Sequence, residues 1–82
     1  MQVFVVVAEE DGSRHLVGTT TDAWAAWEMM RLDALERLAA LDYEEFDDVE
    51  NAPVSKLCQV LASTYGVHLK RFTMNVPEGE GD

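Results

Sequence analysis

Residues 2–8 read QVFVVVA, with valine at four of the seven positions. Val3, Val5 and Val7 alternate with Phe4 and Val6, so an extended chain carries apolar side chains on both faces. Such a strand belongs inside a sheet, covered on at least one side. That requirement narrows the folds open to the chain, because the strand needs neighbours along its edges and a layer against its face. Glu9-Glu10-Asp11-Gly12-Ser13 follows, and Asp-Gly signals a hairpin. Residues 14–20 then return as a polar strand whose apolar content is Leu16 and Val17. Its polarity and Gly18 place it at an edge.

Thr21 or Asp22 is expected to cap the next helix by accepting from free N–H groups of its first turn. Helical periodicity extends to about Leu41. It sets Ala23, Trp24, Trp27, Met30, Ala34, Leu35, Leu38 and Leu41 on one broad face, which should lie on the sheet. Arg31 falls one turn after Trp27, where a cation–π contact is expected. Glu28, Asp33 and Glu36 fall on the opposite face. Met29 and Leu32 accompany them beyond the reach of the sheet, as candidates for an apolar contact patch. Asn51-Ala52-Pro53 opens a second helix, in which Val54, Leu57, Cys58, Leu61 and Tyr65 recur at helical spacing until Gly66 stops it. Residues 67–76, VHLKRFTMNV, form the last strand. The expected fold is α+β, in the order β-β-α-α-β. Two helices pack on one face of a three-stranded sheet of order 2-1-3. A descending second helix would leave strands 1 and 3 parallel. Residues 1–76 make one domain, and 77–82 form a short, acidic, frayed tail.

Eighty-two residues bury only about 60% of the unfolded surface, so stability is expected to be modest. Sixteen acids face six bases, for a formal net charge of -10. The bases Arg14, Arg31, Arg37, Lys56, Lys70 and Arg71 are scattered. That argues against binding nucleic acid through its phosphates, and equally against an anionic membrane. The one cysteine, Cys58, allows no intramolecular disulfide, which suits a reducing compartment. The opening residues lack the basic flank of a signal peptide, and no apolar run approaches the roughly 20 residues that span a bilayer. The expected address is the cytoplasm of a bacterial host.

Catalytic and metal motifs are weak throughout. His15 and His68 sit on strands without HxH, HxxxH or Cys–His spacing. Cys58 lies on an apolar helical stripe, as a small buried hydrophobe does. Ser13 and Ser63 have no triad partners in view, and no glycine-rich segment joins a strand to a helix. No enzyme activity, cofactor or metal is expected.

One feature carries functional information. Asp42-Tyr43-Glu44-Glu45-Phe46-Asp47-Asp48-Val49-Glu50 places six acids within nine residues with no intervening base. Such a run stays in water and attracts cationic surfaces. Tyr43, Phe46 and Val49 interleave at three-residue spacing, which would pin the segment and give the carboxylates set positions. Glu9, Glu10 and Asp11 in the hairpin, and Glu78, Glu80 and Asp82 in the tail, could extend the strip. A fixed negative strip can occupy a basic groove built for phosphates.

The opening QVFVVVAEEDGSRHLVGTTTDAWAAWEM, a strand, acidic hairpin, strand and helix beginning Thr-Asp-Ala-Trp, resembles small phage-encoded accessory proteins. Anti-CRISPR proteins are a subset of these: short, acidic, single-domain inhibitors of a host CRISPR effector. The resemblance is one of plan and character and transfers no residue role. It implies a protein that binds a Cas protein or complex and blocks its access to target DNA. The expected contacts are Asp42, Glu44, Glu45, Asp47, Asp48 and Glu50, with Glu9, Glu10 and Asp11 as a second set and Met29 and Leu32 as an apolar anchor. The rival expectation is a structural or regulatory module acting through homodimerisation or strand addition to a partner protein.

Overall fold

β1 (Gln2–Glu10) is the central strand of a three-stranded sheet in the computed structural model, which describes residues 1–77. β2 (Ser13–Thr20) and β3 (His68–Asn75) flank it in the order β2-β1-β3. The fold is α+β, as the valine run requires. Asp11 and Gly12 turn the β1–β2 hairpin with φ of 52° and 79°. Two positive angles are the type I′ combination, whose twist matches that of the strands it joins.

α1 (Ala23–Ala40) follows β2. Asp22 caps it, with Oδ1 accepting from the Trp24 N–H at 3.0 Å. At the far end Asp42 adopts a left-handed φ of 55°. Its N–H reaches the Ala39 carbonyl, and the Tyr43 N–H reaches the Leu38 carbonyl. This is a Schellman closure with aspartate in the position glycine usually holds. α2 (Phe46–Val49) is a single short turn. α3 (Val54–Val60) continues into a π-helical turn, Leu61–Tyr65, and Gly66 ends it at φ 69°.

β3 runs antiparallel to β1, pairing His68 with Glu9 and Asn75 with Gln2. The parallel arrangement expected from a descending second helix is therefore incorrect. The cause lies in residues 42–53. Tyr43 stands at the C-terminal end of α1, and its ring packs edge-on against Tyr65 with centroids 6.4 Å apart. Ala52 and Glu50 lie back beside Arg31, which donates to both carbonyls at 2.8 Å. The acidic segment thus descends along α1 and α3 climbs again. β3 then starts beside the hairpin end of β1 and runs down.

Phe4, Val6 and Ala8 face the helices and meet Ala26, Met30, Ala34, Leu38, Leu57 and Leu61 in the core. Among the described residues, no element covers the other side of the sheet. A bulge between Val6 and Val7 pairs Val6 with Gly18 but Val7 with Leu16. Directly paired residues share a face. The bulge therefore turns Leu16 away from the helices, where it is 67% exposed, while Val17 packs against the core. Phe72 and Met74, paired with Val5 and Val3, are also exposed on that open side.

Candidate partner-binding surface

Asp42, Glu44, Glu45, Asp47, Asp48 and Glu50 are all exposed. The residues between them are not: Val49 is buried in the core, and Tyr43 and Phe46 are half-buried against it. Three-residue spacing produces this alternation because the segment makes one helical turn, α2, against the core. Arg31 adds a second restraint through the Glu50 and Ala52 carbonyls. The backbone is gripped while the carboxylates face water. Among the described residues, none of these six carboxylates takes part in a salt bridge or hydrogen bond. Their charge also acts on Tyr43. Burial raises its phenol above the ordinary value, and the negative charge of Glu45, of the Tyr65 phenol when ionised and of Asp48 adds to the rise.

The hairpin lies at the same end of the molecule as the start of this segment. Glu10 shares a depression with Arg37, Ala40, Leu41 and Val67. The hairpin residues Asp11 and Gly12 share another with Gly66 and His68. Asp42, Glu44 and Glu45 flank Tyr65, immediately before Gly66. Glu10 and Asp11 therefore extend the negative surface across this end. Glu9 does not extend it freely. It sits on the open side of the sheet, where Oε2 accepts from Arg14 Nε and Oε1 lies against Lys70 Nζ, both at 2.8 Å. Those bonds, Lys70 first and Arg14 second, hold its carboxyl below the ordinary value. Glu78, Glu80 and Asp82 lie outside the described residues.

Several apolar placements differ from expectation. Trp24 and Trp27 are 71% and 41% exposed rather than in the core, and Leu41 is exposed as well. α3 begins only beside Arg31, so among the described residues no second helix covers the first turns of α1. The cation that meets Trp27 is Arg71, not Arg31. Its guanidinium lies 4.6 Å from the indole centroid and 5.4 Å from the Phe4 ring. Met29 is not out of reach of the sheet. It packs towards Gly18, where an added Cβ would lie 2.6 Å from its Sδ. Leu32 alone of the expected anchor pair is outward, 57% exposed. Sequence reasoning missed the Arg71–Trp27–Phe4 stack. Its signal was the basic pair Lys70-Arg71 on a strand, where alternation sends one side chain to each face.

Cys58 is half-buried, and burial pushes its thiol pKa up, which disfavours the nucleophilic thiolate. Among the described residues, no group of three or more His, Cys, Asp or Glu side chains could hold a metal ion. No helix among them is long and apolar enough to cross a membrane. Comparison of the chain with protein-family models, curated proteins and solved structures found no match in any of the three.

Proposed function

We propose that the protein is a non-enzymatic inhibitor of anti-CRISPR type. Its acidic surface would occlude a basic, nucleic-acid-binding face of a CRISPR effector complex in the host cytoplasm and so block target DNA. One observation carries this reading: six unpaired carboxylates project from a segment held by Tyr43, Phe46, Val49 and Arg31. A restrained array loses less freedom on binding than a floppy one, so more of its electrostatic gain survives. Glu10 and Asp11 lengthen the array, and Leu32 is a further exposed apolar side chain on α1. The test is capture of Cas subunits from a CRISPR-bearing bacterial lysate, identified by mass spectrometry and repeated as salt is raised. Binding should fall with salt and be lost when Asp47, Asp48 and Glu50 are together changed to Lys. Capture unaffected by both treatments would refute the reading.

A second reading follows from the open side of the sheet, where Leu16, Phe72 and Met74 are exposed beside Val3 and Val5. A second copy stacked there would cover this apolar surface. The acidic segments, which lie on the helix side, would remain far apart. Light scattering at low and high salt distinguishes the two: a dimer that persists in high salt supports the module, and a monomer supports the inhibitor.

A further inference from the structure

We infer that Trp24 and Glu28 form a seat for an arginine side chain of the partner, on the same helix that holds the acidic segment through Arg31. This rests on the acidic-surface reading and specifies which cation that surface prefers. Trp24 is the most exposed large apolar side chain of the described residues, at 71%. It lies in the first turn of α1, in the stretch that α3 leaves uncovered. Glu28 follows one helical turn later, also exposed, so indole and carboxylate are neighbours on the helix surface. Arg31, about two helical turns beyond Trp24, holds the end of the acidic segment by the Glu50 carbonyl, so that segment ends on the same helix.

A flat guanidinium can lie on an aromatic face and fork to a carboxylate at once; an ammonium does neither as well. The molecule already displays half of this pairing. Arg71 lies over the neighbouring indole of Trp27 at 4.6 Å. Trp24 offers the same kind of face to solvent, in a field set by a chain of net charge -10. An arginine-bearing segment fits this combination. A neutral apolar peptide would leave Glu28 unpaired, and a nucleic-acid base would bring phosphates into the negative field.

The test compares oligoarginine and oligolysine peptides of equal length, titrated at low salt and followed by calorimetry. The intact protein should bind both and prefer arginine by about two- to fivefold, the range of an exposed cation–π contact. Trp24→Ala should remove the preference and leave the common, charge-driven affinity. Trp24→Phe should keep part of it. Circular dichroism confirms folding, since the indole lies outside the core. Equal affinity for both peptides, or a preference that survives Trp24→Ala, overturns the arginine seat and leaves the acidic-surface reading standing. No binding to either peptide overturns both.

Discussion

Asp42 does two jobs that pull against each other. It contributes a carboxylate to the acidic surface, and it closes α1 in a left-handed conformation that glycine would adopt without a Cβ penalty. Asp42→Gly should therefore raise stability by about 0.5–1 kcal/mol in urea unfolding, although it removes a surface charge. Glu9 behaves differently. Its ion pairs lower its folded-state pKa from the ordinary 4.5, so its contribution is fully present above 4.5. The contribution is lost as pH falls from 4.5 through the lower folded value. The stability gap between the intact protein and Glu9→Gln should be widest at neutral pH and shrink in acid, as read from urea midpoints. A gap independent of pH would mean that the Arg14 and Lys70 contacts do not persist in solution.

At the scale of elements, the segment between α1 and α3 is both a connection and a display. Arg31 joins it to α1 through two carbonyls. Replacing it by Met keeps the apolar stem and removes the donors. Arg31→Met should cost about 2 kcal/mol, the scale of losing charged hydrogen bonds at a partly exposed site. Hydrogen exchange should show amides of residues 46–52 losing protection before the sheet does. The acid and apolar alternation of this segment was legible in the sequence, and so was the pinning by Tyr43, Phe46 and Val49. Its direction was not. Nothing in the run says whether it caps one helix end or travels back along the helix, because the deciding contact joins a side chain to carbonyls 19 and 21 residues away. The tryptophans misled for a related reason. Periodicity puts Trp27 on the core-facing arc, but burial there depends on where α3 begins. The bulge that exposes Leu16 was equally hidden, since uninterrupted alternation would have put Leu16 and Gly18 on one face.

For the whole molecule, the charge balance sets how folding and binding respond to salt. A chain of -10 repels itself when compact, and added salt shortens the reach of that repulsion from about 30 Å at 0.01 M to about 10 Å at 0.1 M. The melting temperature should rise over that interval. Each 1 kcal/mol of relief corresponds to roughly 4–8 °C in a domain of this size. Partner affinity should fall over the same interval, so the two measurements move in opposite directions. A melting temperature that fell with salt would mean attractive ion pairs outweigh the repulsion. The interior strand and the hairpin were readable from the valine run and Asp-Gly because local geometry decides them; the sheet order followed because the hairpin leaves β1 one free edge for the last strand, whose direction was not readable.

The grip on residues 42–52 uses three side chains, Tyr43, Phe46 and Val49, and two carbonyls, and among the described residues it leaves the six carboxylates unpaired. Substitution at Glu44, Glu45, Asp47, Asp48 and Glu50 can therefore change the charge the molecule presents while the scaffold stays intact, whereas Asp42 also closes α1. At those five positions the frame and the lettering it carries are free to change independently.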